Sequence, residues 1–256
     1  MRPGSQGPGP LKVDEVRRLL QAIDETPETV IPIHLLRFGT SQAYAVGDAG
    51  SPDAVVVQRD SLPEEPFGLG TNAQGLWDLL RGLDGWTCVE VVPAVAPRLG
   101  ALMNEATGVR VRYYEGVYHT LTEPAPVFED SAVRQLGIRD AGLLAGYGIH
   151  GGDFGSLSRL LLEGVVAGAV VDGQVVGTAH TSAVIDRYAD IGVETQGAWR
   201  GRGFATAAAS IVARRVQEQG RIPVWSCGED NLASLRVAEK LGFEEVSRLT
   251  YVIKGT

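Results

Sequence analysis

One stretch of the chain, residues 188–216, limits the possible folds more than any other. The alternating segment from Tyr188 to Thr195 predicts a strand. A turn rich in Gly and Arg follows, and from Phe204 onward apolar residues recur at helical spacing, which predicts a helix. The first backbone N–H groups of a helix have no partner within it, and the dipole there favours negative charge. The stretch therefore predicts an anion-binding site.

The residues of the turn agree with that prediction. Gly201 and Gly203 have no Cβ, so a phosphate can approach the main chain closely. Arg200 and Arg202 add positive charge. Arginines at a turn are often only hydrated surface charges, but the accompanying glycines and the preceding strand favour an anion site.

The turn also resembles a known motif. Arg200-x-x-Gly203-x-Ala205 resembles the pyrophosphate loop of the GNAT superfamily of N-acetyltransferases, which bind acetyl-coenzyme A. Together with Thr195, three later segments resemble a bacterial subfamily of the GNAT acetyltransferase type: Pro223-Val224-Trp225-Ser226-Cys227, Asn231-Leu232-Ala233-Ser234 and Lys240-Leu241-Gly242-Phe243. The resemblance covers roughly the last half of the chain and is weak before it.

A second interpretation of the turn is the dinucleotide fingerprint Gly-x-Gly-x-x-Gly, which would indicate a nucleotide-binding oxidoreductase. Gly201-Arg202-Gly203 lacks the third glycine, since Thr206 stands there. No acidic residue follows at the expected strand end, so this interpretation is disfavoured.

The resemblance implies a role for most residues around the turn. In the family, the strand before the loop parts from its neighbour and binds the pantetheine arm like an added strand. By position, this implies backbone contacts from Val193, Glu194 and Thr195. The pyrophosphate would bind the main-chain N–H groups of Arg200, Gly201, Arg202, Gly203, Phe204 and Ala205, with Thr206 beside them. Asn231 would contact the cofactor or serve only as a helix N-cap.

The catalytic groups are less well defined by the sequence. Glu194 is the candidate general base, or the holder of a water that acts as one; it could equally be a strand carboxylate that points away, or a residue that only contacts the amine substrate. Asp190 shares its side of the strand but lies roughly 13 Å away, which suits substrate contact better. Many GNAT enzymes carry a tyrosine acid where this chain has Ala238. Ser234, another group or water would replace it, or the thiolate would leave unaided.

Other conspicuous side chains are expected to be structural. Cys227 has no histidine in a recognisable arrangement beside it and is predicted to be a buried cysteine. Trp199 and Trp225 are predicted to pack in the interior, with a lesser option that Trp225 lines the acceptor pocket. No histidine is assigned a role, although His119, His150 and His180 are candidates.

Composition excludes several classes of partner. The formal charge of −8 argues against nucleic acid, which requires a basic face. With only two cysteines and no Cys/His cluster of zinc spacing, we expect neither a disulfide framework nor a metal, and a cytoplasmic location. No apolar run is long enough to span a membrane. The expected partner is a small-molecule or peptide amine, bound by a monomer or homodimer.

The predicted fold class is α/β with a mixed sheet: a GNAT fold in the C-terminal half and a degenerate GNAT-like lobe in the N-terminal half. The predicted boundaries are a disordered tail at 1–10, the first lobe at 11–123, a linker at 124–130 and the GNAT domain at 131–256. Within the first lobe, the apolar segment from Ile33 to Phe38 predicts a strand, and 62–71 predicts a loop.

A possible internal repeat motivates the two-lobe prediction. Trp86-Thr87-Cys88 resembles Trp225-Ser226-Cys227, and each is followed by a helix, a glycine and a strand. Chance similarity of two α/β segments is an equally weighted alternative. The turn Gly68-Leu69-Gly70 lacks arginine and follows Glu64 and Glu65, which would repel phosphate. Only the second lobe is therefore expected to hold the cofactor.

Together these features predict an acetyl-CoA-dependent N-acetyltransferase that transfers acetyl directly to a primary amine bound in the cleft between the lobes. The alternative is a non-catalytic acyl-CoA-binding or regulatory module, which the missing tyrosine and the degenerate lobe suggest.

Overall fold

The computed structural model describes residues 9–255, so most of the predicted tail at 1–10 lies outside the described residues. The described chain divides into two compact units. Unit 1 contains the residues up to Asp24, Leu35–Gly116 and the residues from Arg248 onward. Unit 2 contains Glu25–His34 and Val117–Ser247. The lobe and linker boundaries predicted from the sequence treat each lobe as one continuous segment, whereas each unit combines separate segments. Those boundaries stay a prediction.

The first half of the chain begins with two helices and continues with strands and helices in alternation. Its elements are α1 (Val13–Ala22), α2 (Val30–Phe38), β1 (Ser41–Asp48), β2 (Ser51–Arg59), β3 (Phe67–Leu69), α3 (Ala73–Leu80), β4 (Cys88–Val91), α4 (Ala96–Thr107) and β5 (Val111–Thr120). In unit 1, α3 and α4 bury Leu76, Leu80 and Leu99 against Val89 of β4 and Val252. This apolar contact forms the core of unit 1.

The predicted strand at 33–38 is wrong, because these residues belong to the helix α2. Residues 32–36 are buried in succession, so the segment shows no alternation of exposed and buried positions at helical spacing. Pro32 lies in the first turn of α2. Backbone N–H groups of a first turn have no partner within the helix, so proline costs no helical hydrogen bond there.

The predicted loop at 62–71 contains the short strand β3. A Cβ at Gly68 would lie 2.8 Å from Cγ1 of Val91 and 3.3 Å from Cγ2 of Val89. Glycine is therefore required for close packing here, whereas in the sequence it predicts a turn.

The second half follows the order that the sequence predicts. Its elements are β6 (Val133–Leu136), α5 (Ala141–Tyr147), α6 (Leu157–Glu163), β7 (Val166–Val171), β8 (Gln174–Val184), β9 (Tyr188–Thr195), α7 (Phe204–Glu218), β10 (Ile222–Gly228), α8 (Leu232–Leu241) and β11 (Glu244–Lys254). Asp172 and Gly173, which join β7 to β8, both have positive φ, at 49° and 76°. This agrees with the turn chemistry that predicts the hairpin.

After β6, the second half repeats the order of elements of the first: two helices, three strands, a helix, a strand, a helix and a strand. The pairing repeats as well, because β1–β2–β3 and β7–β8–β9 are antiparallel, while β3–β4 and β9–β10 are parallel. The internal repeat therefore extends to sheet topology. β11 pairs with β4 through residues 250–253, so this strand completes the sheet of unit 1.

Within unit 2, helices cover both faces of the sheet. Ala179 of β8 and Ile191 of β9 pack in one core with Val212 of α7 and Leu241 of α8. Neighbouring residues of a strand point to opposite faces, so Thr178 and His180 lie on the other face of β8. The helix α5 contacts β8.

The strands β9 and β10 pair over only part of their length. Their register joins Tyr188 to Ile222, Ala189 to Pro223 and Asp190 to Val224, and the pairing ends there. β9 continues to Thr195 and β10 to Gly228, so the two strands part after Asp190.

A buried carboxylate lies where the strands part. Asp190 is 4% exposed, and its Oδ1 accepts a hydrogen bond of 2.9 Å from Ser226 Oγ of β10. Its Oδ2 accepts a second hydrogen bond from Ser182 Oγ of β8. One side chain thus joins β9 to the strands on both of its sides.

We expect Asp190→Ala to lower the free energy of unfolding by about 2–4 kcal/mol, because two serine hydroxyls lose their charged acceptor in a buried place. Urea denaturation measures the loss. Glu194→Ala, an exposed carboxylate of the same strand, serves as the control and should change stability by less than about 0.5 kcal/mol. Equal urea midpoints for the two variants would show that the carboxylate does not hold the strands.

Candidate functional site

The parted strands open onto a cavity of about 560 Å³ in unit 2. Its walls come from the end of β9, the turn at 196–203, the start of α7 and one face of α8. The lining includes every cofactor-binding and catalytic residue predicted from the sequence: Val193, Glu194, Thr195, Arg200, Gly201, Arg202, Gly203, Phe204, Ala205, Thr206, Asn231 and Ser234. The fold therefore gathers the predicted residues around one space.

The start of α7 presents free N–H groups to this cavity. Gly203 is the N-cap residue at φ +86°, and no side chain caps the helix. The first helical hydrogen bond runs from Ala207 N to Gly203 O at 3.0 Å. Within residues 9–255, the backbone N–H groups of Arg202, Gly203, Phe204 and Ala205 make no hydrogen bond. Four consecutive donors at a helix start form an anion-binding arrangement.

The cavity is locally positive in a chain of net negative charge. Its walls carry the cationic side chains of Arg200, Arg202, Arg236 and Lys240, against the single carboxylate of Glu194. Positive charge around a concave wall attracts anions and raises their local concentration.

The loop arginines are held by neighbouring groups. Arg200 Nε donates to Thr195 O at 3.2 Å, which ties the loop to the end of β9. The Arg202 guanidinium lies 4.5 Å from the centre of the Trp199 ring. Trp199 packs against Phe204, as predicted, and it also lines the cavity and supports this arginine.

Sequence reasoning missed Arg236 and Lys240. Both lie on α8, and their spacing of four residues places them on one face of the helix. Two basic residues four positions apart, on the helix that Asn231 caps, form a sequence pattern that could have identified them.

The corresponding turn of unit 1 is closed. Only residues 70–72 separate β3 from α3, and Asn72 Oδ1 accepts a hydrogen bond of 2.9 Å from Gly75 N. The start of α3 therefore satisfies one of its free donors with its own chain. This difference supports placing the anion site in unit 2 alone.

The start of α8 joins Asn231 and Ser234. Asn231 Oδ1 accepts from Ser234 N at 3.2 Å, so the predicted N-cap role of Asn231 is confirmed. Ser234 Oγ accepts from Trp225 Nε1 at 2.9 Å, and its own hydrogen is directed at the Cys227 sulfur. Trp225 is 1% exposed and packs in the core, edge-on to Phe243.

Of two further positions in this region, Ala238 is buried and Cys227, predicted to be a buried cysteine, is half-buried. Ala238, where many GNAT enzymes carry a tyrosine, is 1% exposed and packs in the core of unit 2. Burial raises the pKa of the Cys227 thiol, while the Ser234 hydroxyl opposes the shift. A thiol held in its neutral form is a poor nucleophile, which agrees with the predicted structural role of Cys227.

Glu194 is exposed, and polar groups from β8 and α5 lie beside it. Thr178 is its direct partner across β8 and β9. Burial, and secondly the negative charge of Glu194, raise the pKa of Tyr147 to about 12. Tyr147 was assigned no role from the sequence, because nothing in the short helix α5 reveals which strand it covers.

The structure also constrains other site candidates. Both carboxylate oxygens of Asp190 accept hydrogen bonds, one from Ser182 and one from Ser226. The side chain therefore joins strands and does not face an open space. Among residues 9–255, no cluster of three or more His, Cys, Asp or Glu side chains could hold a metal ion. In that same part of the chain, none of the helices is long and apolar enough to cross a membrane.

We expect Gly203→Ala to lower the free energy of unfolding by about 1–2 kcal/mol, since a residue with a Cβ is strained at φ +86°. No heavy atom lies within 4 Å of the added Cβ, so the loss would come from the backbone alone. Gly197→Ala in the same turn also enters open space, but without a positive φ, and should lose less than about 0.5 kcal/mol. Equal losses in urea denaturation would contradict the assignment of strain to Gly203.

Comparison with solved structures finds the same fold along nearly the whole chain. A GCN5-related N-acetyltransferase-like protein from Streptococcus suis 89/1591 matches with a TM-score of 0.63 and 20% identity, over 94% of this chain and 98% of its own. A GNAT-family acetyltransferase from Colwellia psychrerythraea has a TM-score of 0.61 and 13% identity, over 96% and 98%. A tandem GNAT protein from the clavulanic acid biosynthesis pathway has a TM-score of 0.60 and 16% identity, over 96% and 97%.

Sequence comparison agrees with the fold. Residues 150–252 match the model of the family described as GNAT acetyltransferase. No curated protein matches the chain. The predicted fold class is confirmed: a GNAT fold in the C-terminal half follows a degenerate GNAT-like lobe. The match of residues 150–252 and the fold shared along nearly the whole chain therefore support a GNAT superfamily acetyltransferase.

Proposed function

We propose that this protein is an acetyl-CoA-dependent N-acetyltransferase that transfers acetyl directly to a primary amine of a small molecule or peptide. The observation that carries the proposal is the cavity at the parted strands, where four free backbone N–H groups and four cationic side chains surround one space. Such a space suits a phosphate-bearing thioester that enters along the edge of β9.

The free N–H groups of Arg202, Gly203, Phe204 and Ala205 would bind the pyrophosphate, with the charge of Arg200 and Arg202 beside them. Gly201 keeps the turn open to the phosphates, and Thr206 lies at the next position of the helix. Arg236 and Lys240 would bind phosphate from the opposite wall. Cation–phosphate contacts on both sides of the cavity would fix the orientation of the coenzyme.

The end of β9 would hold the pantetheine arm. Beyond Asp190, the groups of β9 that face β10 have no partner on that strand. An extended chain could add to this edge and take backbone hydrogen bonds from Val193 and Thr195. Asn231 on α8 uses its Oδ1 to cap the helix, so its amide nitrogen remains for the coenzyme.

In the reaction, the amine nitrogen forms a bond to the thioester carbonyl carbon, the carbon–sulfur bond breaks, and the nitrogen loses a proton. Glu194 would accept that proton, directly or through a water, since its carboxylate is exposed beside the cavity. A backbone N–H of the parted segment would stabilise the developing oxyanion. Ser234 would donate a hydrogen bond to the leaving thiolate, and the sulfur would take its proton from water.

A non-catalytic acyl-CoA-binding module is the second candidate. The burial of Ala238 favours it, since the core occupies the position from which many relatives supply a tyrosine acid. Both candidates predict coenzyme binding, and only the first predicts turnover.

We expect CoA to bind in titration calorimetry, and Arg202→Gln to weaken the binding about tenfold through the loss of one phosphate contact. Arg214→Gln is the matched control, because Arg214 is exposed on α7 and does not line the cavity. Unchanged affinity in Arg202→Gln, or tighter binding of NAD than of CoA, would contradict the proposed binding mode.

We expect Glu194→Gln to lower kcat/KM for an accepted amine by at least about 10²-fold without changing the affinity for CoA. Ser234→Ala should lower kcat by a smaller factor, and Glu239→Gln on the exposed side of α8 should change neither constant. Release of free CoA thiol, measured with a panel of amines, provides the rates. CoA binding without turnover on any amine would establish the non-catalytic module instead.

A further inference from the structure

Two of the four cations that line the cavity lie on α8, apart from the turn that precedes α7. Ala233, Arg236, Val237 and Lys240 all line the cavity, and their spacing of three and four positions places them on one face of α8. At a rise of 1.5 Å per residue, Arg236 lies roughly 7.5 Å along the helix from the N-cap, and Lys240 roughly 13.5 Å. The positive part of this wall therefore lies away from the start of α8.

No carboxylate of the described chain neutralises this pair. Within residues 9–255, the side chains of Arg236 and Lys240 make neither an ion pair nor a hydrogen bond. On α7, by contrast, Arg215 pairs with Glu218 at 2.6 Å. Like charges four positions apart on a helix repel each other and destabilise it. An anion bound by both side chains would remove that repulsion.

The helix dipole accounts for only one of the two cations. A positive charge in the last turn of a helix is stabilised by the carbonyl groups there, and Lys240 lies in the last turn of α8. Arg236 lies in the middle of the helix, beyond the reach of that effect. Its place beside the cavity therefore calls for a different explanation.

The proposed coenzyme carries phosphate in two places. One is the pyrophosphate, for which the start of α7 already offers four N–H groups with Arg200 and Arg202 beside them. The other is a monophosphate on the 3′ position of the ribose. A phosphate monoester carries about −1.5 to −2 charges at pH 7 and has three strong acceptor oxygens. This compact anion matches an arginine and a lysine that reach one space from the same helix face.

We propose that Arg236 and Lys240 bind the 3′-phosphate of the coenzyme, and that the protein thereby distinguishes CoA from 3′-dephospho-CoA. The assignment rests on the proposed use of acetyl-CoA and adds a requirement to it, namely that the ribose of the donor must carry its phosphate. NAD, whose ribose hydroxyls carry no phosphate, would lose this contact as well.

Titration calorimetry with CoA and with 3′-dephospho-CoA tests the assignment. The unmodified protein should bind CoA at least about tenfold more tightly than 3′-dephospho-CoA. Arg236→Gln and Lys240→Gln should each weaken the binding of CoA at least about fivefold and change the Kd for 3′-dephospho-CoA by less than about twofold. Arg202→Gln, at the pyrophosphate turn, should weaken the binding of both ligands by the same factor.

Three controls accompany these variants. Lys240→Arg keeps the charge and should keep most of the preference for CoA, whereas Arg214→Gln removes an exposed charge outside this cavity and should change neither Kd. Added salt should reduce the preference in the unmodified protein, because contacts of exposed charges are screened. Arg236 and Lys240 are both exposed, so replacing either should shift Tm without ligand by less than about 1 °C.

The outcomes separate the inference from the proposed function. If the unmodified protein binds CoA and 3′-dephospho-CoA equally, or if its preference survives in both Arg236→Gln and Lys240→Gln, the assignment is overturned while coenzyme binding stands. If Arg214→Gln reduces the preference as much as Arg236→Gln does, general charge explains the effect and the assignment is also overturned. If neither ligand binds, the proposed function fails and the inference fails with it.

Discussion

The contact between Asp190 and its two serines governs the functional half of the molecule. It lies at the last paired position of β9 and β10, and it joins β9 to β8 on one side and to β10 on the other. Beyond it, β9 keeps its pairing with β8 up to Thr195, while its other edge opens. The cavity, the exposed carboxylate of Glu194 and the approach to α7 all follow from this one departure from a continuous sheet.

The two halves of the chain show that element order alone does not make a coenzyme site. Both halves place a helix after the third strand of a similar series, yet the connections differ. The short connection before α3 is capped by Asn72, whereas the connection before α7 runs from Gln196 to Gly203 and leaves its donors open. Local backbone geometry and charge, more than topology, thus distinguish a structural lobe from a candidate site.

Sequence reasoning succeeded where local patterns dominate. Asp172-Gly173 identifies its hairpin because both residues require positive φ, and the glycines at 201 and 203 identify the start of α7. It failed at α2, where five consecutive buried residues hide the helical period, and at Tyr147, whose place over β8 depends on tertiary packing. The pairing of β11 with β4 could not be inferred either, because no local signal reports which distant strand a segment joins.

That pairing also affects how the protein is made. Residues 88–91 of β4 depend for a neighbour on residues 250–253, so unit 1 cannot complete its sheet until the ribosome has added a segment about 160 positions later. Until then, the edge of β4 remains exposed in the nascent polypeptide, where unpaired strand edges promote misassembly. The arrangement therefore makes completion of the sheet around β4 a late event, which follows the synthesis of β11.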